Sequence, residues 1–255
     1  MRHTSKRFLE RQLRKKVGRA IEDYRMIESG DRVLVAVSGG KDSLVMMKIL
    51  LALKEAAPVE FEIMPVYLRS GFDDDIERVL LWIHDNLGYE VSVHDSEIAQ
   101  IMELIADPEK SPCALCSRLR RGRLYALAEE MGASSIALGH HLDDIIETFL
   151  LRCFYTGQLG GMSPARVSDN GRNRVIRPLA YCTSELINAY FPYLEIEPAR
   201  NRCLIRKDSK RELIRDYIKR IENDIPTIKY SLFASLGNVD MKSLCVKGNI
   251  HADRD

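Results

Sequence analysis

Val33-Leu34-Val35-Ala36-Val37-Ser38-Gly39-Gly40-Lys41-Asp42-Ser43 is the stretch on which the reading of this chain turns. Its first five residues are apolar and rich in valine, as in a parallel strand buried on both faces. The run stops at Ser38-Gly39-Gly40, and Leu44 to Leu53 then reads as a helix. Two glycines let the backbone turn sharply and bring main-chain N–H groups close to an anion. A helix that starts there points its positive end at the same spot. Ser38 and Ser43 add hydroxyls, and Lys41 adds a point charge. The stretch is a phosphate cradle, but not of the Walker kind, which needs four residues between its glycine and Gly-Lys-Ser/Thr. Asp42 would repel phosphates unless a cation lay between, so its presence argues for Mg²⁺. A plain Gly-Gly turn with a helix cap at Asp42 or Ser43 is the blander reading. Six such residues in order behind a buried strand favour the cradle.

Working outward, residues from Ser5 to Glu28 form a helical pattern, with Leu9, Leu13, Val17, Ile21 and Tyr24 on one face and base on the other. A second strand is expected over Glu60 to Leu68, and a helix from Asp73 to Asn86 with Gly88 just past its end. Glu90 to His94 alternates like a strand, and 97–106 is helical up to Asp107-Pro108. Ser111 to Cys116 reads as a loop opening a helix from Arg118 to Met131. Ser135 to Leu138 is a short buried strand that runs into Gly139-His140-His141-Leu142-Asp143-Asp144 and a helix to Phe154. Tyr155 to Asn173 is glycine-rich loop, Arg174 to Leu179 a strand, and Thr183 or Ser184 caps a helix to Tyr190. Asp208 to Leu236 reads as two helices, and the final residues as disordered tail.

This alternation predicts an α/β fold, a parallel sheet with helices on both faces. The expected parts are an N-terminal basic helix (1–30), a nucleotide-binding domain (31–200) and a helical C-terminal extension (201–255). Ligands of such sheets bind beyond the carboxyl ends of the strands. The loop from Ser38 to Ser43 and the turn at Gly139-His140 should therefore face one crevice.

The 38 basic and 37 acidic residues nearly cancel, so net charge excludes little, but the base is clustered. Arg14, Lys15 and Lys16 lie in the first helix; Arg118, Arg120, Arg121 and Arg123 follow a cysteine pair. Arg200, Arg202, Arg206, Lys207, Lys210 and Arg211 surround a later cysteine. Such clusters suit a polyanion, although solvated helix faces can look the same. No apolar run is long enough to span a membrane, and the basic N-terminus lacks the apolar core of a signal peptide, which points to the cytoplasm.

There a disulfide framework is not expected for the six cysteines. Cys113 and Cys116 form a CxxC, which alone fits a redox pair, half a zinc site or part of an iron–sulfur site. Cys153 reads as a core cysteine, Cys182 at a strand-to-helix junction is ambiguous, and Cys203 lies in a basic segment.

Ser38-Gly39-Gly40-Lys41-Asp42-Ser43 resembles the PP-loop of ATP pyrophosphatases, which split ATP between its α and β phosphates to adenylate a substrate. Further motifs stand behind it: Cys113-x-x-Cys116-Ser-Arg-Leu-Arg-Arg-Gly, Ala137-Leu138-Gly139-His140-His141-x-Asp143-Asp144, and Ile176-Arg177-Pro178-Leu179-Ala180-Tyr181-Cys182. Together they resemble the TtcA family of tRNA 2-thiocytidine synthetases, from the basic helix to about Ile214. The resemblance implies thiolation of a tRNA cytidine at position 32, with ATP held by Ser38, Gly39, Gly40, Lys41, Asp42, Ser43, Gly139 and His140. It implies Mg²⁺ and a 4Fe–4S cluster on Cys113, Cys116 and a later cysteine. Cys203 fits that place, with Cys182 as the other possibility; Arg200 stands where the family spacing suggests a companion cysteine. Three thiolates would leave one iron open for sulfur delivery.

Lys41 and Asp42 are the expected catalytic residues, with Asp143 a candidate acid/base or second metal contact and, equally, a helix cap. Arg14, Lys15, Lys16, Arg118, Arg120 and Arg121 are the expected tRNA contacts. A sulfur donor such as a cysteine desulfurase, an electron donor and a homodimer also follow from the resemblance. The rival readings are a PP-loop 2-thiouridine synthetase, a lysidine-type ligase or amide-forming synthetase, and an RNA- or nucleotide-binding redox sensor.

Overall fold

A computed structural model describes residues 5–71, 75–105, 112–168, 171–199 and 209–245; of residues 112–114 and 209 it describes the backbone alone. After helix α1 (Lys6–Asp23), strand β1 (Arg32–Val37) leads into α2 (Lys41–Lys54), then β2 (Glu62–Arg69), α3 (Ile76–Leu87), β3 (Ser92–Asp95) and α4 (Ile98–Ile105). Helix α5 (Pro112–Glu130), β4 (Ser135–Ala137) and α6 (Leu142–Thr156) follow, then β5 (Ala165–Val167), β6 (Arg174–Ile176) and α7 (Ser184–Tyr190). Helices α8 (Ser209–Asp224) and α9 (Ile228–Ser235) come last.

The six strands form one sheet in the order β3-β2-β1-β4-β6-β5. All neighbours are parallel except β5, which pairs antiparallel with β6. β5 corrects the expectation of loop from Tyr155 to Asn173. It is three residues long, too short to show a period, and it completes the edge by pairing Ala165 with Ile176.

Strand parity sorts the core. Val33, Val35 and Val37 of β1 join Ala137 and Ile176 in a core with residues of α1, α2, α3 and α7. Leu34 faces the other way, with Val66, Ile136 and Val175, against Ile98 and Met102 of α4 and Leu127 and Ala128 of α5. Helix α2 buries eight of its fourteen residues, so its pattern is apolar all round rather than striped. Leu9, Leu13, Val17 and Ala20 seat α1 in the first core. Helices α8 and α9 meet α6 through a smaller cluster of Ile146, Ile214 and Ile218. Among the described residues, no helix is long and apolar enough to cross a membrane.

The cysteine pair is a second correction. Helix α5 begins at Pro112, so Cys113 and Cys116 stand in its first two turns rather than in a loop before it. Proline suits the first helical position, where its missing N–H costs nothing and its φ is already helical.

Candidate active site at the carboxyl edge of the sheet

Strand order reverses between β1 and β4, the place where open α/β sheets bind ligands. The Ser38–Ser43 loop leaves β1 there and turns through Gly39 at φ 74. A Cβ on Gly39 would meet the Ala199 Cβ at 2.7 Å and the Ile76 Cδ1 at 2.9 Å, so conformation and space both demand glycine. The loop is tied to itself. Ser43 Oγ accepts from the Ser38 N–H at 3.1 Å and donates to the Gly40 carbonyl at 2.8 Å, and the Ser38 hydroxyl accepts from the Gly40 N–H at 3.3 Å. Gly40 caps α2, so the helix starts at the cradle itself. Across the top, the Ala199 N–H donates to the Gly39 carbonyl at 2.9 Å. Lys41 Nζ donates to Asn188 Oδ1 of α7, a partner with no sequence signal, because an exposed asparagine on a short helix resembles any other.

Gly139 brings the neighbouring strand's end against this loop. A Cβ on it would lie 3.1 Å from Ser43 N and 3.3 Å from Asp42 C. The expected shared crevice therefore exists, and it includes His141, which the sequence reading passes over in favour of His140. The His141 ring puts Nε2 4.0 Å from Asp42 Oδ1 and 3.6 Å from Asp144 Oδ2, and Nδ1 3.5 Å from Asp143 Oδ2. Asp144 closes the start of α6 by accepting the His141 N–H at 3.1 Å. Asp42 Oδ1 is buried without a hydrogen-bond partner. Burial, then the nearby Asp144, raises the Asp42 pKa, against the pull of His141 and Lys41. A buried carboxylate oxygen without a donor fits a cation. His140 is pushed down to about 4, chiefly by burial and next by Arg177, so it is neutral at pH 7, and its Nδ1 is buried and bare.

Asp143 has other partners. Its carboxylate accepts the Ser184 N–H at 2.7 Å and lies 3.1 Å from Lys229 Nζ, which also reaches Glu185 at 2.6 Å and Glu222 at 3.3 Å. The expected acid/base or metal contact is thus held in a structural tie between α6, α7 and α9. The cationic member does not announce itself in the sequence, since Lys229 looks like a surface lysine.

The cysteines divide by face. Cys116 is half-buried and packs with Leu115 and Leu119 against the α4–α5 core. Its helix runs back along the sheet, so its first turns lie at the carboxyl edge, where a helix N-terminus favours a thiolate. Cys182 is fully buried in the opposite core, and burial pushes its thiol up to about 12. It packs as a core residue in a different hydrophobic cluster from Cys116. Cys153 is half-buried rather than core and donates weakly to the Gln158 carbonyl. The Cys113 side chain and all of Cys203 lie outside the described residues; Ala199, against the cradle, is four positions before Cys203.

The PP-loop domain family matches residues 9–220. A curated tRNA-cytidine(32) 2-sulfurtransferase of Pseudomonas putida (strain W619) is 43% identical over 233 residues, 91% of this chain and 85% of the relative. One of Teredinibacter turnerae is 42% identical over 241 residues, 92% and 78% of the two chains. The chain belongs to the tRNA-cytidine(32) 2-sulfurtransferase family. Among solved structures, the U34-tRNA thiolase NcsA from Methanococcus maripaludis with its 4Fe–4S cluster matches with a TM-score of 0.76 at 20% identity, over 91% of this chain and 79% of that one. That likeness speaks for the fold.

For a 2-sulfurtransferase, the disposition of base matters. Lys15 and Lys16 line a groove of about 1250 Å³ between α1, α6 and α9, floored by aromatic residues such as Tyr24, Phe149 and Phe233. Lys16 Nζ lies over the Tyr230 ring at 5.2 Å. The cradle residues do not line this groove. Arg14 is half-buried on the same helix. Arg118 and Arg121 are exposed and Arg120 half-buried on α5, across the sheet from α1. The expected tRNA contacts therefore form two faces rather than one.

Proposed function

We propose that this chain converts cytidine 32 of tRNA to 2-thiocytidine in an ATP-dependent reaction that releases AMP and pyrophosphate. The observation that carries the reading is the junction of the Ser38–Ser43 cradle with Gly139–His141 at the strand-order switch, in a chain of this family.

The Gly39 and Gly40 amides, the Ser38 and Ser43 hydroxyls and the start of α2 hold the β and γ phosphates. Lys41 offsets the charge that develops on the departing pyrophosphate. Asp42, with its bare buried oxygen and His141 at 4.0 Å, is oriented for Mg²⁺. Mg²⁺ keeps waters and phosphate oxygens as ligands, so one carboxylate suffices; when bound it neutralises phosphate charge. The C2 oxygen of the base attacks the α-phosphorus as pyrophosphate leaves. Oxygen, a poor leaving group, has then become part of AMP. A sulfur nucleophile attacks C2, and the C–O bond breaks to release AMP. Cys113, Cys116 and Cys203 are the residues we assign to a 4Fe–4S cluster, which would supply an iron with a free position for sulfur. His140, neutral, contacts nucleotide, and Asp143 is assigned to positioning α6 against α7 and α9.

Arg14, Lys15, Lys16, Arg118, Arg120 and Arg121 are assigned to RNA phosphates, and the base must leave its stack to enter the crevice. A sulfur donor such as a cysteine desulfurase, an electron donor, a homodimeric state and a cytoplasmic setting complete the reading. The test is anaerobic incubation of the iron-loaded protein with ATP, sulfide and unmodified tRNA, followed by nucleoside mass spectrometry. 2-Thiocytidine with stoichiometric AMP is expected. 2-Thiouridine at position 34, or AMP formation without thiolation, would overturn the assignment.

A further inference from the structure

The motif Ile176-Arg177-Pro178-Leu179 has no role in the chemistry above, yet it holds a buried cation with no ion pair among the described residues. Arg177 follows the last residue of β6 and is 6% exposed. One terminal nitrogen donates to the Ser163 carbonyl, and Nε is buried with no partner. No carboxylate of the described residues forms an ion pair with it. Burial first, then the positive charges of Arg166 on β5 and Arg121 on α5, depress its pKa to about 10, against the opposing effects of Tyr125 and Asp144. A buried guanidinium without a counter-ion is costly, and five N–H donors in a planar fork match a phosphate. His140, whose Nδ1 is buried without a partner, is near enough to feel the Arg177 charge.

We infer that Arg177, rimmed by Arg166 and Arg121, is a receptor for a backbone phosphate of the RNA substrate. This deepens the proposed function and rests on its RNA substrate. Sheet position separates the receptor from the ATP cradle. Arg177 stands just past the end of β6, two strands from β1, with β4 between, and neighbouring strands lie about 4.8 Å apart. Arg166 lies on β5, the edge strand beyond β6, and Arg121 on α5. The first turns of α5 also carry Cys116. A nucleotide anchored by its phosphate at Arg177 would have its base over β4, between the cradle and α5. That is where adenylation and sulfur delivery must both reach it.

The test measures equilibrium binding of a short anticodon stem–loop RNA and, separately, of a non-hydrolysable ATP analogue, using the full chain at several salt concentrations. Arg177→Gln is expected to weaken RNA binding about tenfold and to reduce its salt slope by about one, with the ATP analogue unaffected. Loss of ATP-analogue binding with RNA unchanged would identify the nucleotide's phosphate as the anion and overturn the RNA assignment. No change in either would make Arg177 a structural arginine. Should Arg177→Gln fail to fold, Arg166→Gln at the exposed rim is the second variant. A lower RNA salt slope is expected there, and an unchanged slope overturns the inference. The two readings fail separately. RNA binding that depends on Arg177 without 2-thiocytidine formation sinks the proposed function alone. Thiolation with RNA affinity indifferent to Arg177 and Arg166 sinks the receptor alone.

Discussion

Buried charge occurs in this protein in two forms. Behind the carboxyl edge, Lys229 is 6% exposed and meets three carboxylates, from Asp143, Glu185 and Glu222. Nearby, Glu147 is 2% exposed and is held by Arg211 at 3.0 Å and Arg215 at 2.6 Å. By contrast, Arg177 Nε and Asp42 Oδ1 are buried with no hydrogen-bond partner among the described residues, Asp42 having only His141 at 4.0 Å. The first kind fastens α8 and α9 to α6 and α7. The second kind is stable only because the rest of the fold holds it, and on the reading proposed above it awaits a group of opposite charge. Compensation, rather than burial, separates structural ion pairs from sites.

The sharpest way to break this comparison is Asp42→Asn. If the bare oxygen awaits a cation, tRNA-dependent pyrophosphate release should fall about a hundredfold or more, the scale of losing an electrostatic partner of a reacting phosphate. Thermal stability should not fall, because a buried carboxylate without a partner is replaced by a neutral amide. Full turnover with reduced stability would move Asp42 into the structural class. Lys229→Met is the converse. It leaves three carboxylates around an apolar side chain, and the loss should be about 3 kcal/mol, read from the urea midpoint. A midpoint unchanged from the parent would show that the triple contact contributes nothing.

These two classes were not equally legible. The cradle is local: strand, glycines, hydroxyls and helix start follow one another in eleven residues, so the sequence shows the site and its chemistry together. The partnership of Gly139 with Ser43 could be expected from the rule that strand ends share a crevice, though not its 3.1 Å closeness. Lys229 and Glu147 give no signal, since a charge on a mostly apolar helix reads as solvent-facing and each acquires its partners only when α6, α7, α8 and α9 meet. Arg177 was visible as part of a motif, but its isolation depends on Arg166 of a strand that periodicity missed and on Arg121 of a helix from the other side of the sheet. His141 was passed over because two adjacent histidines look alike until the turn into α6 aims one at three carboxylates.

His140 sharpens the comparison in a third way, since it is buried and avoids a charge by staying neutral. Its native pKa of about 4 lies below the ordinary 6.5, so between these values the unfolded chain takes up a proton that the native one refuses. Stability from this source is present above pH 6.5 and is lost as pH falls toward 4. Arg177, His141 and Arg211 face the ring and oppose its charging, while Asp144 favours it. His140→Gln should therefore flatten the fall in stability between pH 7 and pH 5, by up to about 2 kcal/mol. An identical slope in the variant would mean that the ring is free to charge in the native state.

Cys182 is the buried thiol of the other core, the alternative third cluster ligand, and it tests whether the face of the sheet decides what a cysteine does. Its thiol, raised to about 12, is protonated at any physiological pH, and it packs in the core with Leu179 and Ile187. Cys116 lies against the other core, at the helix start facing the crevice. Cys182→Ala should leave the iron content of the reconstituted protein unchanged and cost about 1 kcal/mol, the loss of a small apolar group. Cys116→Ala should do the reverse, lowering iron binding while leaving the apoprotein's stability nearly intact. If iron were lost with Cys182→Ala at unaltered apoprotein stability, a ligand would have to reach across a packed sheet. The division between faces would then fail as a guide to this site.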